Sequence, residues 1–336
     1  MKGFCSSRIT FLLAGTSLIF ALVVLGTARP QTTSTPAKPV KPVLDNRDLL
    51  VMQAAVGFIA APGFSESPYD IDPFGKIHVL PGTGSITYNF RTGDSAVHIA
   101  GDHVEPAVTI ENPQDSDSNG LNTLACIGNK VRVIDGEAKG AEGFVIGKHG
   151  GAEHVMVDFP EPKILEKMVI GDKMQVQTIG VGLELKNVKD VKAMNISPYL
   201  LDCLTKAGMG VTDDGKLRLQ VTHRIPARIM GSGLGSEHVY RGDYDIQLFD
   251  EKTVKEFGLE DLRFGDIVAV IDADNSYGRI YREGAISIGV VSHSRSNVAG
   301  HGPGMTTLFS SPTGNFELFL TPGANLAVLL GLRRNI

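Results

Sequence analysis

The chain has 336 residues, with 32 Lys and Arg, 37 Asp and Glu, and a formal net charge of −5. This mild acidity argues against a surface that binds nucleic acid, which is normally basic. Charged residues make up 21% and hydrophobic residues 42% of the chain, which excludes a largely disordered protein. The length suffices for a large core in two or three domains.

Residues 1–28 have the pattern of an export signal. Lys2 and Arg8 precede an uncharged apolar run, and Gly26-Thr27-Ala28 offers small residues for cleavage. The sequence therefore predicts an exported protein, periplasmic or secreted. The alternative is an uncleaved N-terminal membrane anchor, because the run is about the 20 residues needed to span a bilayer. Loss of residues 1–28 would change the net charge from −5 to −7.

Residues 29–43 are rich in Pro and Thr and predict an extended linker. Residues 44–119 are expected to form an N-terminal β region, with short β-branched strands at 76–80, 85–90 and 107–111. Before them, the spacing of Leu49, Leu50, Met52 and Val56 predicts a helix within residues 44–61, capped by Asp45 or Asn46.

Residues 120–186 are predicted to form a small barrel. Residues 128–147 show a strand, a glycine-rich loop and a second strand, and residues 154–160 give the next strand. The segment resembles an SH3-like barrel of the KOW kind. Ribosomal KOW domains are basic and bind RNA, whereas this segment is mixed in charge. The resemblance therefore implies the barrel shape, and no nucleic-acid role is expected.

Residues 187–336 are predicted to be a C-terminal β region that closes on the N-terminal one. A helix is predicted from Ser197 as N-cap, with Pro198 in the first turn and Gly208 at its end. A short helical turn is predicted at 253–257. Five Gly-Asp pairs, at 93–94, 101–102, 171–172, 242–243 and 265–266, indicate tight corners in which Asp bonds a nearby amide.

The strongest candidate site joins two distant segments. His301 lies in a Gly-His-Gly-Pro-Gly loop at 300–304, where the flanking glycines allow close approach to an exposed imidazole. His103 lies in the turn Gly101-Asp-His-Val-Glu105. The two loops are predicted to share one cleft, with a divalent metal held by His103, His301 and either Asp102 or Glu105. The alternative is that these imidazoles serve only local hydrogen bonds.

His103, His301 and Glu105 are also the candidate catalytic residues, whereas a small polar ligand is expected to contact a wider set of groups. Arg279 could clamp a carboxylate or phosphate with two parallel hydrogen bonds. The turn at 80–85 around Thr83 could offer backbone amides to an anion, or could be a plain hairpin turn. The predicted ligand-binding residues are Thr83, Arg279, Gly300, His301, Gly302 and Gly304.

Other motifs argue against particular activities. Ser232 and Ser236 lie between strand-like flanks, which disfavours an α/β-type serine hydrolase. Neither acidic segment, at 70–75 or at 272–275, begins a loop with both the sixth-position Gly and the twelfth-position Glu of a calcium loop, and both are expected to cap turns. After the signal only Cys126 and Cys203 remain, and the sequence leaves open a disulfide or two free thiols.

Two motif pairs carry a resemblance over residues 45–334. They are Val79-Leu-Pro-Gly-Thr-Gly-Ser-Ile-Thr-Tyr-Asn with Gly101-Asp-His-Val-Glu-Pro, and Tyr277-Gly-Arg-Ile-Tyr-Arg-Glu-Gly-Ala-Ile-Ser-Ile-Gly-Val-Val with the 300–304 loop. The chain resembles an uncharacterised bacterial and archaeal family, a domain of unknown function represented by a hypothetical protein of a thermophile. The resemblance implies a mostly β, multi-part fold with a small barrel. It implies no activity.

The sequence therefore predicts a mainly β protein, a multi-part β-sandwich or barrel with an SH3-like barrel and a few short connecting helices. The predicted function is binding of a small polar molecule, with metal-assisted hydrolysis or lyase chemistry if the protein is an enzyme. The competing hypothesis is a non-catalytic ligand-binding or envelope-associated protein. No membrane contact is expected beyond the N-terminal signal or anchor.

Overall fold

The computed structural model describes residues 40–63, 67–231 and 239–336. The predicted signal at 1–28, most of the linker, and Ser232 and Ser236 lie outside these ranges. The strands in chain order are β1 (Gln53–Ile59), β2 (Asp70–Ile71), β3 (Ile77–His78), β4 (Ile86–Thr87), β5 (Ala107–Glu111), β6 (Lys130–Val133), β7 (Glu142–His149), β8 (His154–Asp158), β9 (Lys173–Thr178), β10 (Lys192–Ala193), β11 (Gly210–Val211), β12 (Leu217–Val221), β13 (His223–Pro226), β14 (Ile267–Asp274), β15 (Ile280–Val291), β16 (Met305–Ser311) and β17 (Phe316–Leu320).

The helices are few and short, as expected for a mainly β chain. The α-helices are α1 (Asp115–Leu124), α2 (Pro198–Lys206), α3 (Glu251–Phe257) and α4 (Leu326–Leu329). Short 3-10 helices lie at Arg47–Leu49, Pro162–Lys167, Ala227–Ile229 and Leu259–Asp261. In the described ranges none of these helices has the length and apolar character needed to cross a membrane.

Six strands close into a barrel in the order β1-β9-β6-β7-β8-β5, and β5 pairs back to β1. All its pairings are antiparallel. Alternate side chains, such as Val131, Val145 and Val157, point inward and are fully buried, which is the pattern of a filled small barrel. Strands β6 to β9 lie within the predicted 120–186 segment. Strands β1 and β5 come from earlier in the chain, so the barrel extends beyond the boundary predicted at residue 119.

A second sheet has the order β10-β16-β15-β14-β13, in which only β13 and β14 run parallel. A three-stranded sheet, β11-β12-β17, lies beside it, and β2 and β3 form a short hairpin. The sheet contacts the barrel where β16 meets β7. There Lys148 N donates to Thr306 Oγ1 at 3.0 Å, and the Thr306 hydroxyl donates back to Lys148 O at 3.2 Å. Residues 39–336 form one compact unit.

The helix predicted within residues 44–61 is wrong. That segment contains a single 3-10 turn followed by β1, which pairs with β9 along its length and with β5 at its end. The apolar spacing was misleading because Leu49 and Met52 are exposed and do not face a core. Gly57 lies so close to Ile110 that a Cβ would overlap that side chain. Barrel pairing therefore overrides the local helical pattern.

The helix predicted after Ser197 is confirmed. The Ser197 hydroxyl accepts a hydrogen bond from Leu200 N at 3.1 Å, Pro198 occupies the first turn, and Gly208 follows with φ of +102°. The turn predicted at 253–257 lies within α3. Cys126 and Cys203 are both free thiols, so the open question of a disulfide is answered.

Three of the five Gly-Asp pairs form the turns that the sequence predicts. The carboxylates of Asp94, Asp172 and Asp266 each accept a hydrogen bond from the backbone N–H three residues earlier. Asp266 is almost completely buried, and burial raises its pKa to about 7 against the hydrogen bonds that it accepts. Asp102 and Asp243 behave differently, because their carboxylates reach across to other parts of the chain.

Candidate functional site

Four chain segments meet at one end of the barrel: the turn 101–105, the β7–β8 hairpin around 149–154, the extended segment 243–246, and residues 292–304. His103 N donates to Arg295 O at 3.1 Å, and Ser294 N donates to Val104 O at 2.9 Å. Tyr244 N donates to Met305 O at 3.0 Å, and Ile246 N donates to Pro303 O at 2.9 Å. Backbone hydrogen bonds thus fix the segments that carry the polar side chains.

The two predicted loops are in contact. His103 Nε2 lies 3.2 Å from His301 Nδ1. The Asp245 carboxylate completes the set, with Oδ2 at 3.0 Å from His301 Nδ1 and 3.8 Å from His103 Nε2. Three ligands at about 2.1 Å from a tetrahedral metal ion lie about 3.4 Å from one another. The three measured distances are close to that spacing, so this set could hold a metal ion with small adjustments.

The carboxylate that lies between His103 and His301 is that of Asp245. The prediction that Asp102 or Glu105 supplies this carboxylate is therefore wrong. Asp102 Oδ2 contacts the other nitrogen of His103, Nδ1, at 2.7 Å. Its Oδ1 accepts hydrogen bonds from Asn297 N at 2.6 Å and from Ser296 Oγ at 2.9 Å. Asp102 therefore orients the imidazole of His103 so that Nε2 points to Asp245. An acid in this position is a usual partner of a metal-binding histidine.

Glu105 lies on the barrel side of the cluster and is fully buried. Its carboxylate lies 2.5 Å from His149 Nδ1 and 3.0 Å from His154 Nδ1, and it accepts a hydrogen bond from Gly84 N at 2.9 Å. These three residues also form a possible metal-binding group. His154 Nε2 also lies 3.6 Å from Glu111, and all three residues are buried, whereas the set with His103 reaches solvent at His301.

A further set contains His293, Asp243 and Asp245. His293 Nε2 lies 2.6 Å from Asp243 Oδ2 and 3.7 Å from Asp245 Oδ1, and its Nδ1 lies 3.0 Å from Ser294 O. Asp243 Oδ1 accepts from Gly150 N at 2.7 Å, which ties this set to the β7–β8 hairpin. The His149 ring lies against that of His293 with a centroid distance of 4.1 Å.

Burial and the charge of neighbouring groups act in opposite directions on the pKa values of His103 and Asp102. Burial would lower the pKa of His103, but the Asp102 and Asp245 carboxylates outweigh it and raise the pKa to about 10. Burial would raise the pKa of Asp102, but His103 and the donors of residues 296–297 lower it to about 2. Burial and the charge of His293 lower the pKa of His149. The cluster is a strongly coupled network of carboxylates and imidazoles.

The backbone around the site is shaped for these side chains. His103 itself has φ of +49°, an uncommon conformation for a bulky residue and a known mark of functional sites. Gly302 and Gly304 contact the 243–246 segment so closely that a Cβ would overlap Ile246 O or the Asp243 carboxylate. The side chain of His301 is 38% exposed, against 4% for Asp245, so solvent reaches the cluster at His301.

The other predicted ligand-binding residues lie around this cluster or away from it. Arg279 lies near the 243–245 segment, with its guanidinium carbon 5.5 Å from the Tyr244 ring centroid. Thr83 is next to Gly84, whose N–H donates a hydrogen bond to the Glu105 carboxylate. The turn that contains Thr83 therefore helps to hold Glu105 in place. Asp72 and Asp274 each accept a backbone N–H in their own turns, as expected for caps, whereas Asp272 lies in β14 and accepts from Gly284 N of β15, so the cap predicted at Asp272 is wrong.

Sequence reasoning missed Asp243, Asp245, His149 and His154 as members of the cluster. One signal was available for the two acids. Residues two apart on an extended strand point to the same face, so the spacing of Asp243 and Asp245 places both carboxylates together. His149 and His154 end and begin strands that pair directly, which brings both rings to one hairpin.

The comparisons with known proteins identify the family. The N-terminal domain of unknown function DUF4438 matches residues 69–202, and its C-terminal counterpart matches residues 206–330. The chain belongs to the DUF4438 family. The crystal structure of TM1086, a protein of a thermophile, is similar with a TM-score of 0.79 and 44% sequence identity, covering 84% of this chain and 98% of that one. No curated protein matched the chain.

These matches confirm the predicted resemblance to an uncharacterised family and the mainly β fold. The DUF4438 descriptions name no activity, and neither does that of TM1086. Any function must therefore be argued from the residues of the cluster.

Proposed function

We propose that this DUF4438 protein is an exported metal-dependent hydrolase or lyase that acts on a small polar molecule. The observation that supports the proposal is the convergence of His103 Nε2, His301 Nδ1 and Asp245 Oδ2 at separations of 3.0 to 3.8 Å. Two imidazoles and one carboxylate are a donor set suited to Zn²⁺ and similar divalent ions. Three protein ligands leave a coordination position for water or substrate.

The chemistry follows from a metal ion with an open position. The ion lowers the pKa of its bound water and polarises a carbonyl or phosphoryl oxygen. In a hydrolysis, the water oxygen bonds to the carbonyl carbon or phosphorus while the bond to the leaving group breaks. The two hydrogens of the water end on the two products. Glu105 is fully buried and engaged with two histidines, so it supports the site and is a weaker candidate for the catalytic base.

Arg279 favours an anionic substrate. Its Nε and Nη1 atoms are buried and have no hydrogen-bond partner, which is costly for a guanidinium group. Burial lowers its pKa, and the charges of Asp243, Tyr244 and Asp245 oppose that effect. A carboxylate or phosphate group of a bound molecule would satisfy Nη1 in a bidentate contact with Nη1 and Nη2, whereas Nε faces a different edge of the guanidinium and is outside that contact. This is the ligand role that the sequence had indicated for Arg279.

The proposal is tested by metal content and by activity. Protein purified without chelators is expected to contain a stoichiometric divalent transition metal, and His103→Ala and His301→Ala are expected to reduce its affinity at least tenfold. His98→Ala is the matched control, because His98 is exposed and lies outside the cluster. Wild type and variants are then compared on ester, amide and phosphoester substrates that carry an anionic group.

Three outcomes are distinguishable. Metal-dependent turnover that His301→Ala abolishes supports the enzyme. Metal or ligand binding without turnover of any substrate favours the competing hypothesis of a non-catalytic ligand-binding or envelope-associated protein. Absence of metal affinity in the wild-type protein overturns the proposed metal site.

A further inference from the structure

We infer that the cluster is a dinuclear centre, in which the Asp245 carboxylate bridges two divalent metal ions. The inference rests on the proposed function and adds a second ion to it. The first ion would be held by His103, His301 and Asp245 Oδ2. The second is held by His293 Nε2, Asp243 Oδ2 and Asp245 Oδ1.

The two oxygens of Asp245 face different sets of residues. Oδ2 lies 3.0 Å from His301 Nδ1, whereas Oδ1 lies 3.7 Å from His293 Nε2. In each set the possible ligand atoms lie within 4.8 Å of one another. A carboxylate that gives one oxygen to each of two ions holds them a few ångströms apart, and ions in two-metal hydrolytic sites are about 3.5–4 Å apart.

The orientation of the histidines suits both positions. His103 Nδ1 contacts the Asp102 carboxylate at 2.7 Å, and His293 Nδ1 contacts Ser294 O at 3.0 Å. Each of these contacts holds one ring nitrogen against a protein oxygen and so fixes the orientation of the ring. The other nitrogen, Nε2, is thereby directed at Asp245 in His103 and at Asp243 in His293, which is the usual arrangement of metal-binding histidines.

The charge of the two buried acids is also compatible with bound cations. The side chains of Asp243 and Asp245 are 2% and 4% exposed. In the described part of the chain, the ion pairs of these two acids are all with histidines. Buried carboxylates without lysine or arginine pairs are normally compensated by metal coordination or by protons. Two divalent ions would provide that charge at the place where the carboxylates converge.

A second ion narrows the reaction class. A water molecule between two ions is held by both of them, and a phosphoryl or carboxyl oxygen of the substrate can bind to one ion while the water attacks. Together with Arg279, such a centre would suit hydrolysis of a small phosphoester or an acidic amide.

The test is metal stoichiometry combined with electron paramagnetic resonance. Chelator-treated full chain is titrated with Mn²⁺ by equilibrium dialysis. Wild type is expected to bind two ions per chain with the broadened spectrum of a spin-coupled pair. His301→Gln and Asp243→Asn are each expected to retain one ion and to show the spectrum of an isolated Mn²⁺. Asp245→Asn is expected to weaken both ions at least tenfold, and His98→Gln is the control and should bind two.

The outcomes separate the two proposals. One ion per chain in wild type overturns the dinuclear centre and leaves the single-metal function intact. Two ions without spin coupling overturn the bridging role of Asp245. No bound ion overturns both proposals. Circular dichroism of each variant shows whether it folds. If Asp245→Asn does not fold, the number of ions bound by His301→Gln, which changes a partly exposed residue, is compared with that of wild type.

Discussion

Replacement of Glu105 by Gln tests the buried network that supports the cluster. Glu105 is fully buried, and its carboxylate contacts the Nδ1 atoms of His149 and His154 at 2.5 and 3.0 Å. Gln has nearly the same volume, so the variant creates no cavity while it removes the charge. The side-chain amide also presents N–H groups where the carboxylate had only acceptors.

The expected magnitude follows from these contacts. Hydrogen bonds to a charged group contribute roughly 1.5–3 kcal/mol each, and removal of one partner of a buried ion pair costs about 3–5 kcal/mol. Thr109 Oγ1 and Gly84 N can still donate to the remaining oxygen of Gln, which limits the loss. We therefore expect the free energy of unfolding to fall by about 3 kcal/mol at pH 7.

The assay is urea unfolding followed by circular dichroism, in the presence of a chelator so that bound metal does not contribute. Glu111→Gln is the matched control. Glu111 is partly exposed and lies 3.6 Å from His154 Nε2, so its removal should cost less than about 1 kcal/mol. If Glu105→Gln and Glu111→Gln unfold with equal free energies, the argument that Glu105 anchors the two histidines is refuted.

Three further predictions concern other parts of the molecule. Gly304→Ala should reduce metal affinity at least tenfold, because the new Cβ would overlap the His293 ring. The control Gly323→Ala, at an exposed position, should bind metal like wild type. Equal affinities of the two variants would contradict the prediction. Burial raises the pKa of Asp266 to about 7, so the folded protein favours the protonated form, and the contribution of this residue to the free energy of unfolding should fall by up to about 4 kcal/mol between about pH 4 and pH 7 and stay level above. Asp266→Asn should remove this pH dependence in urea unfolding measured at several pH values. A pH dependence that the variant retains would refute the prediction. Burial raises the pKa of the Cys126 thiol to about 11, so it should react with a disulfide reagent at pH 8 only in urea, and reaction in the folded protein would show that it is accessible.

The elements that local signals predicted are those whose hydrogen bonds are local. The hairpin of β7 and β8 and the helix after Ser197 are marked in the sequence by turn and capping residues. The segment 44–61 was misassigned because β1 is defined by pairing with β9, more than a hundred residues away. The closure of the barrel by β1 and β5 depends on similarly distant contacts.

The site was predicted in part, and for a physical reason. His103 and His301 stood out because glycine-rich turns around histidine suggest a positioned side chain, and the structure places their rings in contact. Asp245 follows Tyr244 and lies in no Gly-Asp pair, and its spacing from Asp243 was the signal that could have indicated it. Gly-Asp pairs look alike whether the carboxylate binds its own turn, as at Asp94, or reaches another segment, as at Asp102. Only the folded chain distinguishes these cases.

The most direct test of the metal site is anomalous X-ray scattering from a crystal of protein purified without chelators. We predict an anomalous difference peak at the absorption edge of a transition metal, within about 2.0–2.2 Å of His103 Nε2, His301 Nδ1 and a carboxylate oxygen of Asp245. A metal-loaded crystal with no anomalous peak among these three side chains would contradict the account.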